Sequence, residues 1–322
     1  MAKRPKQRGL SPEFMTDMTL PNGMLKPLLE RVQSDTSLQM DIRSDCVNVY
    51  YRGGNLLRVK RPQDSVYRFT FDTKYVPETL RSSMKFPDAT VESKEQTQEW
   101  IRKIPLIKDT MDLWFGKHPK DERALQQLVA WENNSSPWAG STDYFIVDIE
   151  YANREGARFD LVALRWDSTA SARRLSKGYR PRLTIIEMKS GDGAVKGNSG
   201  MAAHLKQLQV FLGRTDKVAM FKKEMLNVFK QKRELGLIKS LRGNGNEVKD
   251  FDASVDVLFL LAGHDPESAR LSGELSGIEQ ACSVENPIFP IGFCTANFMG
   301  FALYNQNIHS LGEFRRWWDK AI

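Results

Sequence analysis

The stretch Arg182-Leu-Thr-Ile-Ile-Glu187-Met188-Lys189-Ser-Gly-Asp192-Gly constrains this 322-residue chain more than any other. Leu183 to Ile186 is apolar or β-branched throughout, as an internal strand buried on both faces must be. Side chains two apart on a strand share a face, so Glu187 and Lys189 point the same way. A carboxylate and an ammonium at the end of a buried strand are costly unless they have partners or a task. The chain must pack a sheet around this strand and accommodate its charged end.

A second apolar run, Ala157-Arg-Phe-Asp160-Leu-Val-Ala-Leu-Arg-Trp166, opens on an acid where the first closes on one. If the two strands pair antiparallel, Asp160 and Glu187 meet at one end of the sheet with Lys189 beside them. Two carboxylates and one lysine at one point suit a hard divalent cation that activates water against a phosphodiester.

Asp160 followed by Glu187-x-Lys189 resembles the signature of the PD-(D/E)XK nuclease superfamily, over residues 120–262. Phe159 stands where the motif's name has proline. The resemblance implies an α/β fold with a restriction-endonuclease-like core, a mixed central sheet flanked by helices. It implies metal-dependent cleavage of nucleic acid, DNA before RNA, in roles such as host defence or DNA processing. Asp160 and Glu187 would then hold Mg²⁺ or Mn²⁺, with the Met188 carbonyl as a further ligand, and Lys189 would position or activate the water. The alternative is a strand-end ion pair of Glu187 and Lys189 on an inert sheet. In that case the chain is a non-catalytic nucleic-acid- or partner-binding protein.

Two acids compete for the place of a third metal ligand. Tyr144 to Tyr151 reads as a strand joined to the Asp160 strand through Asn153–Gly156. A hairpin centred on Glu155 puts Glu150 opposite Asp160 on the same face, and like charges so placed repel unless a cation lies between them. A one-residue slip would turn Glu150 to the other face. The rival is Glu132, on a helix from Lys120 to about Asn133, at i+7 on a stripe with Leu125, Leu128 and Val129.

After Lys189, the glycines from Gly191 to Gly200 lack the order of a Walker loop and lead into a helix over Met201–Leu212. His204, Gln207, Leu208 and Phe211 share a stripe there. Gln207-x-x-x-Phe211 loosely resembles the Gln-x-x-x-Tyr element of the RecB-like branch of these nucleases. His204 or Gln207 would hold a phosphate near the metal, or else flank the packing stripe.

Residues 1–20 read as a mobile basic leader, 21–90 as a helix followed by a small antiparallel β module, and 91–322 as the nuclease-like domain with a C-terminal extension. The module's hairpin turns at Gly53-Gly54-Asn55. Its Arg52, Arg58 and Lys60, beside Tyr50 and Tyr51, are of the types that grip a backbone and stack bases. A helix over Thr97–Phe115 is expected to break near Pro105. The polar stretch between the motif strands, with Arg173, Arg174, Lys177 and Arg180, reads as a flexible surface loop, the alternative being basic residues that reach a scissile strand. Residues 214–250 are basic, and Lys222, Lys223, Lys230 and Lys232 are candidate phosphate contacts.

Lys and Arg exceed Asp and Glu by 47 to 40, a net charge of +7 compatible with a polyanionic partner. No run approaches the length of a membrane span, which excludes a membrane partner and leaves an oligomer or a protein partner open. Cys46, Cys282 and Cys294 are too widely spaced for a disulfide framework and fit a reducing, cytoplasmic setting. His264 and His309 have no metal-ligand spacing to them, so zinc is not expected.

Overall fold

The computed structural model describes residues 8–153, 156–191, 200–239, 247–263, 269–285, 287–296 and 300–319. The glycine-rich segment 192–199 and His264 lie outside them. The chain forms two compact units: residues 1–127 with 227–239, and residues 128–226 with 240–322. The division falls after Gln127 rather than at residue 90.

Unit one holds helices α1 (Pro12–Thr19), α2 (Lys26–Ser34) and α3 (Lys94–Phe115). Its antiparallel sheet runs in sequence order: β1 (Leu38–Ile42), β2 (Cys46–Tyr51), β3 (Gly54–Gln63), β4 (Val66–Thr70), β5 (Thr90–Val91). One face of that sheet is the core: Val47, Val49, Leu57, Val59, Phe69 and Val91 are all fully buried.

Three local expectations fail here. Residues 12–19 are a helix, because Ser11 caps it and Phe14 and Met18 are fully buried, so that half of the leader is ordered. The hairpin turns on Arg52-Gly53, not one residue later. Tyr51 pairs with Gly54, and both turn residues have left-handed φ (49° and 73°), which a two-residue primed turn requires. Helix α3 runs unbroken through Pro105. A capping box at Ser93 and Gln96, and buried Trp100, Ile104, Ile107, Met111 and Phe115, outweigh proline's cost of about 3 kcal/mol.

Helix α4 (Asp121–Asn134) buries a different stripe from the one its leucines suggest. Leu128 is exposed, while Gln126, Val129, Ala130, Asn133 and Asn134 are buried. Asn134 explains the choice. Its amide donates to the Ile146 carbonyl and accepts the Ile146 N–H, both at 2.8 Å, closing a strand irregularity as a backbone would.

Unit two is built on a five-stranded mixed sheet in the order β10-β9-β8-β7-β6. Strands β6 (Tyr144–Ala152), β7 (Arg158–Arg165) and β8 (Arg182–Ser190) form an antiparallel meander. Strands β8, β9 (Val255–Ala262) and β10 (Ile291–Ala296) are parallel. Such pairs need crossovers, supplied by α6 (Met201–Leu212) with α7 (Thr215–Glu234), and by α8 (Ala269–Glu285). All eight residues of β9 are buried, as a central parallel strand demands. Helix α9 (Leu311–Asp319) closes the edge, with Phe314 stacked on Phe293.

A short helix, α5 (Ala170–Arg173), interrupts the loop between the motif strands. Arg173 sits 4.5 Å from the Phe145 ring and 5.5 Å from that of Trp166 rather than reaching outward. Burial lowers its guanidinium pKa. Among the described residues no helix is long and apolar enough to cross a membrane.

Candidate active site

The two motif strands are antiparallel neighbours, in register from Leu161↔Ile186 to Arg165↔Arg182. Continuing that register one step sets Asp160 opposite Glu187. There the ladder is replaced by a side chain, for Asp160 Oδ2 accepts the Met188 N–H at 2.9 Å. Glu187 and Lys189 are 1% and 4% exposed, so both charges are withdrawn from water at the end of β8.

His204 on α6 brings Nδ1 to 2.8 Å from Glu187 Oε2. That is a charge-pair distance without the alignment of a hydrogen bond. Both carboxylate oxygens of Glu187 are therefore buried with no hydrogen-bond donor among the described residues. Glu187, His204 and Gln207 line a cavity of about 440 Å³, whose wall also carries the exposed cations Arg158, Lys206 and Arg214. Phe159 and Phe211 form its apolar side, ring centroids 5.1 Å apart.

The same contacts account for the two aromatics, Phe159 and Phe211. Phe159, at the motif's proline position, stacks on Tyr151 at 5.3 Å and meets Phe221 edge-on at 5.8 Å. Phe211 meets Phe221 edge-on as well, so the aromatic of Gln207-x-x-x-Phe211 is a packing residue. It clamps α6 and α7 onto the hairpin that presents Asp160.

The third acid is less simple. Glu150 lies between the pairs Ile149↔Leu161 and Tyr151↔Phe159, hence opposite Asp160 as the hairpin count requires. Its φ is 52°, however, and a left-handed residue breaks the alternation that would fix its face. Glu132 is half-buried on α4 and accepts the Ser136 hydroxyl at 3.2 Å. Sequence reasoning missed Asp148, which is fully buried opposite Val162, itself opposite Ile185 two residues before Glu187. Its signal was present: a lone acid inside Phe145-Ile-Val-Asp148-Ile149, of the same parity as Glu150.

The candidate nucleic-acid contacts divide. Lys223, Arg58 and Lys60 are exposed. Arg52 pairs with Asp112 at 2.7 Å and lies over the Phe115 ring. Lys222 donates to the carbonyls of Asp252 and Ala253, and burial lowers its pKa. Lys230 is half-buried. Lys232 is fully buried against Asp41 and is withdrawn from any phosphate. Tyr50 is buried, and Tyr51 donates to Asp112 at 2.8 Å, so neither ring is an open stacking platform.

Magnesium holds several waters and takes one or two carboxylates. The oxygens of Glu187, which receive no hydrogen bond among the described residues, lie opposite Asp160 and fit that need. Against it, no three His, Cys, Asp or Glu side chains gather at metal-ligating spacing among the described residues. Comparison with protein-family models, with curated proteins and with solved structures returned no match.

Proposed function

We propose that unit two is a metal-dependent nuclease, DNA its favoured substrate, on a restriction-endonuclease-like core. The observation that carries the reading is Glu187: a carboxylate 1% exposed, with His204 Nδ1 at 2.8 Å but no hydrogen bond to either oxygen among the described residues, at the wall of a cavity bearing three cations. Burying such a group costs several kcal/mol unless a cation compensates it. The strand order supports the same reading, because an antiparallel meander followed by parallel strands gathers Asp160, Glu187 and Lys189 at one sheet end.

Asp160, Glu187 and the Met188 carbonyl would hold Mg²⁺ or Mn²⁺. When bound, the metal would polarise a phosphoryl oxygen and ease deprotonation of water. Lys189 would orient the attacking water and offset charge developing on phosphorus. Arg158, Lys206 and Arg214 would draw the backbone into the cavity, and His204 or Gln207 would fix a phosphate there.

Incubating the protein with plasmid, linear and single-stranded DNA, and with RNA, under Mg²⁺, Mn²⁺ or EDTA tests this. Cleavage that needs metal and is lost in Lys189→Ala supports it. No cleavage of any substrate, with a melting temperature unmoved by either metal, rejects it. The second reading is a non-catalytic binding protein on the same fold. It is favoured by one observation, the absence of a three-ligand cluster among the described residues.

A further inference from the structure

The outer face of the unit-one sheet pairs its charges in an unusual way. Register sets Asp41, Asn48, Arg58 and Thr70 in one cross-strand row, and Cys46, Lys60, Arg68 and Thr90 in the next. Lys60 and Arg68 are thus direct cross-strand partners, and Arg58 is two residues from Lys60 on the same face. Like charges directly opposed destabilise a sheet, whereas opposite charges so placed stabilise it. Among the described residues, Arg58, Lys60 and Arg68 are all exposed and form no ion pair; Arg58 donates only to Cys46 Sγ, at 3.4 Å. The one acid in the two rows, Asp41, is fully buried and spent on Lys232.

We infer that this face binds the phosphodiester backbone of a nucleic acid, independently of any cleavage in unit two. Charge complementarity argues for the occupant: three exposed cations that form no ion pair among the described residues favour an anion. Thr70, Thr90 and Asn48 stand beside them, and hydroxyl and amide side chains with Arg and Lys are the usual phosphate contacts. Arg58, Lys60, Arg68, Thr70 and Thr90 are the exposed positions of the two rows, and none is aromatic. The face therefore grips the backbone without stacking bases, and its binding is indifferent to sequence and strongly dependent on salt.

The test is fluorescence anisotropy of the full chain in EDTA, with a mixed-sequence strand, an oligo-dT strand and a duplex. Phosphatidylserine vesicles and an acidic peptide serve as competing probes. Arg58→Gln, Lys60→Gln and Arg68→Gln are combined, with Arg81→Gln, Lys85→Gln and Lys117→Gln combined as a control of equal charge change. The triple variant on the face should lose at least tenfold in affinity, equally for mixed sequence and oligo-dT. Its log–log salt slope for single strands should fall by about 2, three contacts at roughly 0.7 each. The control set should change neither.

Equal losses in both sets would reduce the effect to net charge and overturn the proposal. So would unchanged binding, or binding of vesicles or peptide without nucleic acid. If the triple variant melts early, single Lys60→Gln and Arg68→Gln variants carry the same readout, each with a slope change below 1. Binding is read in EDTA, where no metal-dependent cleavage proceeds, so failure of cleavage and failure of this surface read out separately.

Discussion

Asp160 receives the Met188 N–H on Oδ2 at 2.9 Å, so the acid of one motif strand holds the residue between the acid and the lysine of the next. The two halves of the motif are joined by a charge-assisted hydrogen bond within the protein itself. On the proposed reading Asp160 has two separable jobs, one structural and one chemical.

Asparagine keeps an acceptor oxygen for that N–H, whereas alanine removes it. Asp160→Asn should melt close to the parent, and Asp160→Ala should lose about 1.5–3 kcal/mol, the worth of a hydrogen bond to a charged group. Both should abolish metal-dependent cleavage. Urea titrations beside a cleavage gel check this. Equal stability of the two variants would show that the bond contributes nothing to the fold.

Glu187 has the opposite character, since its buried carboxylate gains no hydrogen bond among the described residues. Glu187→Gln removes the charge while keeping the shape, so the metal-free protein should melt no earlier than the parent. Addition of Mg²⁺ should raise the melting temperature of the parent and leave that of the variant unmoved, as mass action on a lost site requires. A variant that still responds to Mg²⁺ would place the metal elsewhere.

In unit one, Asp35 supplies a pH-dependent contribution to stability. Burial alone would raise its carboxyl pKa, but hydrogen bonds from Lys108, Ser37 and Arg31 outweigh that and hold it at about 2, against an ordinary 3.8. A lowered folded-state value gives stability that is fully present above the unfolded pKa and is lost as pH falls through the folded one. The pair of values corresponds to at most about 2.5 kcal/mol, reduced by solvent screening of a partly exposed group. The stability gap between the parent and Asp35→Asn should be largest near pH 6 and close towards pH 2. A gap that does not change with pH would assign the effect to packing.

Much of unit two could be read directly from the chain, because its signals are local. Apolar runs bounded by charge mark β7, β8 and β9, and the hairpin count around Glu155 put Glu150 opposite Asp160. The misses are tertiary. Leu128 is exposed because Asn134 is needed at Ile146, and an amide's hydrogen bonds leave no trace in hydrophobic periodicity. Pro105 is tolerated because the buried side of α3 outweighs one missing bond. The left-handed backbone at Glu150 has no glycine to announce it. Lys232 looked like one more cation in a basic helix, since its partner Asp41 lies 191 residues away in sequence.

That pair yields the last prediction. Lys232 and Asp41 are both fully buried, and Asp41 Oδ2 has no hydrogen-bond partner among the described residues. Removing one member of such a pair leaves an uncompensated charge, which costs about 3–5 kcal/mol, whereas replacing both by apolar groups is often neutral. Lys232→Met should therefore destabilise by that amount, and Lys232→Met with Asp41→Leu should recover most of it. Nucleic-acid affinity of the double variant, measured well below its melting temperature, should match the parent with an unchanged salt slope. A slope reduced by about 0.7 to 0.9 in a variant of normal stability would mean that Lys232 reaches a phosphate after all. The buried pair would then not be what holds the end of α7 in unit one.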